Sequence, residues 1–209
     1  FRDDPLVRTA FAPHAPYSVS DAPLQRIVTL ANELELPIHM HVHETKAEID
    51  GSVREHGCRP LERLERLGLL SPSLVAVHLT QVTDAEIEQC ATAGVNVVHC
   101  PQSNLKLASG HCAVTAMTAA GVNVALGSDG AASNNDLDLL AEMQTAALLA
   151  KGLERDACAL PAMEVLRMAT LSGARALGLG EETGSLSPGK SADIIAVDQH
   201  PGYRSNQHG

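Results

Sequence analysis

The five residues Ala93-Gly-Val-Asn-Val97 return 27 positions later as Ala120-Gly-Val-Asn-Val124. Each copy introduces a short apolar run, residues 95–99 in the first case and 122–126 in the second. A period of 27 is about the length of one βα unit. Upstream, Thr83-Asp-Ala-Glu86 has the form of a capping box and opens a helix to about Ala93. Residues 74–78 and 37–42 read as two more strands, with helical patterns at 46–56 and 60–67 between them. Residues 6–12 read as a further strand. Behind a Ser20/Pro23 start, Leu24, Ile27, Val28, Ala31 and Leu34 then recur at helical spacing. Downstream, one helix is expected over 136–151, capped by residues 133–135, and another over 161–177, ended by Gly178. Five strands alternating with helices, without hairpins, predict an α/β fold with a parallel sheet covered by helices.

The composition narrows the class. The chain has 209 residues, 15 Lys+Arg against 25 Asp+Glu, and a formal charge of −10. With two Phe, two Tyr and no Trp, the core must be built from Ala, Val and Leu. This length supports one domain but falls short of a complete (β/α)₈ barrel, which takes about 250 residues. Charged residues at 19% and hydrophobic ones at 44% argue against disorder. No run approaches the 18 or so apolar residues of a membrane helix. The acidic balance, without a Lys/Arg cluster, disfavours nucleic acid and anionic membranes as partners. No export signal is visible, and the first residue is Phe, not Met. Cysteines at 58, 90, 100, 112 and 158 form no Cys-x-x-Cys pair, so reduced thiols in the cytoplasm are expected.

Ligands of parallel α/β sheets sit at the C-terminal ends of the strands. There the sequence places His14, then His39, His41, His43 and Glu44, then His78, then His99, and finally Asp129. One histidine at such a place is more often a packing residue. Four His-bearing ends and one Asp-bearing end point to a shared site. Converging imidazoles and a carboxylate suit zinc, or iron as second choice. Alternation puts His39, His41 and His43 on one face and does not choose among them. Glu44 is either a proton shuttle beside a metal or an acid opposite a helix dipole, and the pattern favours neither. Ser103-Asn104 and Asn134-Asn135 are expected in turns and caps, with substrate contact as the second reading. Leu105, Leu107 and Met143 are expected in the core. His56, His111, His200 and His208 read as surface residues.

His-x-x-Glu after one strand, an isolated His after the next and Ser-Asp-Gly after the last resemble the amidohydrolase superfamily. Pro13-His-Ala-Pro-Tyr17, His41-Val-His-Glu-Thr45, Pro101-Gln-Ser-Asn-Leu-Lys-Leu107 and residues 126–135 are similar to the 5-methylthioadenosine/S-adenosylhomocysteine deaminases. These belong to the cytosine-deaminase and chlorohydrolase branch. The resemblance implies a partial TIM-like metal-dependent hydrolase barrel, strands four to eight, over residues 1–183. Residues 184–198 then correspond to a return into a small β-sandwich, and 199–209 to a tail. It implies one divalent ion held by His41 and Asp129, with Glu44, His78 and Asp129 catalytic, and His14, Glu44 and Asp129 contacting substrate. His39 and His43 take no family role.

The activity implied is hydrolytic deamination of an adenine-type nucleoside such as methylthioadenosine, adenosylhomocysteine or 5'-deoxyadenosine. Activated water attacks C6 and ammonia leaves. The partner is then a small molecule, and a homo-oligomer is allowed. Guanine, cytosine and triazine substrates of the same branch are the alternative, and a non-catalytic fragment or interaction module is the alternative of another class. A His-x-His pair from a first strand, which should supply two more metal ligands, does not occur here. The chain reads as the C-terminal portion of a longer enzyme.

Overall fold

Four of the expected strands form and lie side by side in chain order. The computed structural model describes residue 4 and residues 6–197. Its strands β1 (Ile38–Val42), β2 (Leu74–His78), β3 (Asn96–His99) and β4 (Asn123–Leu126) make one parallel sheet. The repeat noted above is paired with itself, because Asn96 lies opposite Asn123 and Val97 opposite Val124. In both copies the glycine, Gly94 or Gly121, takes a positive φ. That left-handed turn ends α4 (Asp84–Ala93) in the first copy and follows α6 (Val114–Ala119) in the second.

The expected strand at 6–12 is reduced to a single bridge between Phe11 and Ile38. Phe11 and Ile38 neighbours exchange two bonds, Phe11 N–H to Pro37 O at 3.0 Å and His39 N–H to Phe11 O at 2.8 Å. Leu6 and Val7 are exposed. Among the described residues the segment has a strand neighbour on one side only, and Pro13 supplies no N–H to extend a ladder.

The helical expectations hold with shifted bounds. They are α1 (Asp21–Leu34), α2 (Lys46–His56), α3 (Pro60–Arg66) and α4, the last opened by the Thr83/Glu86 capping box. Two short helices that periodicity did not signal, α5 (Pro101–Lys106) and α6, fill the crossover from β3 to β4. The next helix, α7 (Leu139–Glu154), starts later than expected because Asp138 is its cap. The residues ahead of it are held by Asn134, whose Oδ1 accepts from Asp136 and Leu137 N–H. The helix expected over 161–177 is α8 (Ala162–Arg167), a π turn at Met168–Ser172 and α9 (Gly173–Ala176). Residues 184–197, expected to return to a sandwich, form no strand; Leu186 and Ile195 are each 83% exposed. The tail, with His200 and His208, lies outside the described residues.

The two faces of the sheet differ. Met40, Val42, Leu74, Ala76, Val97 and Val124 pack with Leu24, Leu61, Leu64 and Met117 into one apolar core under the helices. Fully buried Leu64 is expected to cost about 2–5 kcal/mol on replacement by Ala, read as a shift in the denaturant midpoint. The opposite face, with His39, His41, Val75, Val77, Val98 and Ala125, lines a cavity of about 400 Å³. Among the described residues, no helix is long and apolar enough to cross a membrane.

Candidate active site

Three strand ends leave the sheet through residues with positive φ, His43 at 54°, His78 at 80° and Asp129 at 62°. Non-glycine residues rarely adopt this conformation, and it re-aims the side chain relative to strand alternation. His78 alternates with Leu74 and Ala76 toward the helices, but the turn carries its ring to the mouth. There one ligand atom each of His41, His78 and Asp129 lies within 4.8 Å of the other two. The His41 and His78 rings stack with centroids 5.4 Å apart, and His14 meets His41 edge-on at 5.2 Å.

Hydrogen bonds assign the ring nitrogens. His41 Nδ1 lies 2.8 Å from the carbonyl of His14, which can only accept, so Nδ1 carries the proton. His78 Nδ1 donates in the same way to Asn104 Oδ1 at 2.8 Å. Both Nε2 lone pairs are thereby free to bind a ligand. The Asp129 carboxylate accepts from Ser103 Oγ at 2.6 Å, Ser133 Oγ at 2.7 Å and Gly130 N–H at 2.7 Å. Burial opposes its ionisation, but these bonds and nearby His78 outweigh it and hold the carboxyl below the usual range. Two imidazoles and an ionised carboxylate are a fitting partial donor set for zinc.

Glu44 sits half-buried beside this group, with Oε2 3.9 Å from His78 Nε2 and Oε1 accepting from Ser109 Oγ at 3.3 Å. The helix-capping role that competed for Glu44 belongs to Glu48. Its carboxylate accepts the N–H of His43 at 3.0 Å and of Glu44 at 2.8 Å. His14 is exposed at the rim, with Nδ1 2.9 Å from Ser18 Oγ and its ring edge-on to Tyr17.

The remaining histidines separate. His39 lines the cavity below His41, and burial lowers its pKa. His43, expected on the same face, lies one residue past the end of β1, and its left-handed turn points it away. It is fully buried, accepts the Leu61 N–H at Nε2 and is pushed down to about 4 by burial. His99 is buried on the helix side of β3, where burial, reinforced by His78, pushes it down to about 3. An unfolded histidine titrates near 6.5, so the unfolded chain takes up this proton first. The His99 contribution to stability is therefore complete above about pH 6.5 and is lost as pH falls toward 3. Between pH 7 and pH 5 this is ~2 kcal/mol, and His99→Leu is expected to remove that share of the pH dependence of the denaturant midpoint, leaving the share due to His43.

Three residues hold site groups in a way that the sequence pattern does not signal. Ser103, Asn104 and Ser133 look like turn and cap residues, yet each holds a site group. Leu105 and Leu107, expected in the core, are each 51% exposed because α5 turns Ser103 and Asn104 inward. Gly127 permits close packing, since a Cβ there would lie 2.8 Å from Val98 Cγ1. Gly130 has open space around it, and its contribution is the N–H on Asp129.

A parallel βα sheet with histidines and an aspartate gathered at its strand ends is the arrangement of part of a TIM-like (β/α) barrel. The chain belongs to the amidohydrolase family, whose sequence pattern matches residues 1–208. It is 53% identical over 200 residues to a 5-methylthioadenosine/S-adenosylhomocysteine deaminase of Teredinibacter turnerae, covering 96% of this chain and 45% of that protein. It is 48% identical over 195 residues to a 5'-deoxyadenosine deaminase of Methanothermobacter thermautotrophicus, covering 93% and 45%. An adenosine deaminase from Xanthomonas campestris, solved with bound zinc, superposes with a TM-score of 0.95 at 56% identity, over 100% of this chain and 47% of that one. An atrazine chlorohydrolase from Arthrobacter aurescens, complexed with zinc, gives 0.86 at 28% identity, over 90% and 41%. The chain thus spans less than half the length of the curated relatives named here.

Proposed function

We propose that the protein is a metal-dependent hydrolytic deaminase of adenine-type nucleosides, releasing ammonia from C6 of the ring. The observation that carries this reading is Glu44 facing the His41–His78–Asp129 group, a proton carrier beside a ligand cluster. Relatives named as deaminases of such nucleosides match at 48–53% identity, against 28% for the chlorohydrolase, which ranks the triazine reading second.

His41 and Asp129 would hold one divalent ion, zinc ahead of iron, with His78 alongside; bound there, it supplies Lewis acidity that brings the pKa of a water toward neutrality. Asp129, kept ionised by Ser103, Ser133 and Gly130, accepts the proton of the attacking water. His78, with its proton on Nδ1, offers Nε2 to that water and orients it toward C6. Glu44 carries a proton to the adjacent ring nitrogen as the water oxygen adds. His14 at the rim contacts the purine. Asp129 passes its proton to the C6 amine, ammonia leaves, and Glu44 takes back the proton of the added hydroxyl as the hypoxanthine product forms.

Residues 1–183 are read as the barrel part, 184–198 as the return to a β-sandwich and 199–209 as a tail. The acidic balance and five free cysteines support a cytoplasmic setting. The test is ammonia release from methylthioadenosine by the full-length, zinc-loaded protein, run beside guanine, cytosine and a chlorotriazine. Turnover of any of these three in place of methylthioadenosine overturns the substrate assignment. Absence of tightly bound metal together with absence of turnover supports the non-catalytic reading instead.

A further inference from the structure

Helix α5 is built the wrong way round for packing. A surface helix normally turns its leucines inward and its polar residues to water. Here Ser103 and Asn104 are 0% and 1% exposed, while Leu105 and Leu107 stand half in solvent. Burying a hydroxyl and an amide is unfavourable unless each finds a partner. The partners found are Asp129 Oδ2 for Ser103 Oγ, at 2.6 Å, and His78 Nδ1 for Asn104 Oδ1, at 2.8 Å, while Asn104 Nδ2 has no partner among the described residues.

The topology explains how neighbouring residues reach two different strands. β3 lies between β2 and β4, and α5 follows β3 directly. Successive residues on a helix point about 100° apart. Asn104 therefore reaches the end of β2, where His78 sits, and Ser103 the end of β4, where Asp129 follows. The helix is itself anchored. Gln102 N–H donates to Glu142 Oε2 at 3.1 Å, and Asn134 donates to the other oxygen of the same buried carboxylate. The Asn134 loop carries Ser133, the second hydroxyl on Asp129 Oδ2.

We propose that α5 is the positioning element of the site, with Ser103 fixing the orientation of the Asp129 carboxylate and Asn104 fixing the tautomer of His78. This deepens the reading of Asp129 and His78 as reacting groups. Its consequence is that one short segment contacts both groups and sets them against each other, with Ser133 and Gly130 adding further bonds to Asp129. Ser103 and Asn104 are positioning residues and act through Asp129 and His78, which they hold.

The test is made on the full-length protein with ¹⁵N-labelled histidine, zinc-loaded and after chelation, at pH 8. The ring signals of His78 are expected to show a neutral imidazole protonated on Nδ1. Asn104→Asp, which keeps an acceptor, retains that tautomer, and Asn104→Leu moves it toward Nε2 protonation. Ser103→Ala is expected to weaken zinc, in chelator competition, by about 10- to 100-fold. Ser103→Thr, which keeps the hydroxyl, restores most of the affinity. The proposal is overturned by Nε2 protonation of His78 in the unsubstituted protein, a result that stands even where Asn104→Leu does not fold. It is equally overturned by an unchanged tautomer in folded Asn104→Leu, or by unchanged zinc affinity in Ser103→Ala. Tautomer and zinc affinity do not depend on the substrate. A protein inactive on methylthioadenosine, adenosylhomocysteine and 5'-deoxyadenosine whose His78 is protonated on Nδ1 overturns the deaminase reading and supports the role of α5.

Discussion

Glu44→Gln is expected to lower kcat for methylthioadenosine by about 10²- to 10⁴-fold in the full-length, zinc-loaded protein, the range for a removed general acid–base group. The amide has the carboxylate's shape and still accepts from Ser109 Oγ through its carbonyl oxygen, so the local packing is kept. Glu44 is also tied down through its backbone, since its N–H donates to Glu48 and its carbonyl accepts from Thr80 Oγ1 at 2.6 Å. The unfolding midpoint and zinc content should therefore stay near those of the parent. What the variant loses is a proton that can be delivered. A kcat within threefold of the parent would show that ring protonation comes from elsewhere.

Asp129→Ala should be more damaging, lowering kcat by at least ~10³-fold, because one side chain serves as proton acceptor and metal ligand. The three bonds on its carboxylate make removal costly in a second way. The Ser103 hydroxyl would be left at the site without its acceptor, and Ser133 Oγ would keep only the Gly130 carbonyl at 3.2 Å. Asp129→Asn separates the effects, since it keeps an oxygen for the hydroxyls but is a poorer metal ligand and no base. Zinc content measured with kcat distinguishes them. Retained zinc and retained turnover in Asp129→Ala would remove Asp129 from both roles.

Much of the framework could be read from residue pattern. The Val-rich runs at 74–78, 95–99 and 122–126 announce buried parallel strands, and His78 and Asp129 were visible as their polar ends. The choice among His39, His41 and His43 was not readable, because it turns on where β1 stops. The left-handed turn at His43 takes that ring out of the row, a backbone event that alternation does not contain. The sequence leaves Glu44 open between proton shuttle and helix-start acid, and does not single out Glu48, to which the N–H groups of His43 and Glu44 donate. The roles of Ser103, Asn104 and Ser133 in holding Asp129 and His78 are not legible for a chemical reason. Serine and asparagine suit turns for their ability to bond locally, so their presence near a strand end signals a turn first. The edge segment before β1 misled in the opposite way, with strand composition but a partner on one side only.

The paired asparagines at the base of the repeat bear on the chemistry at the top. Asn123 Nδ2 donates both to Asn96 Oδ1 at 2.9 Å and to Ser172 O at 3.0 Å, while Asn96 Nδ2 donates to Pro72 O at 3.0 Å. Together they form a belt of amides from the loop before β2 to the π turn. Two parallel strands could slide past each other by two residues, about 6.6 Å, and still present the same faces. Valine ladders alone offer little resistance to such a slide; an amide meeting an amide permits one height only. That height brings His99 level with Leu126, and so sets Ser103 and Asp129, each a few residues further on, close enough to meet. The floor of the sheet thus acts as a gauge for its rim, and wear at the floor would be felt as misalignment among groups a whole strand away.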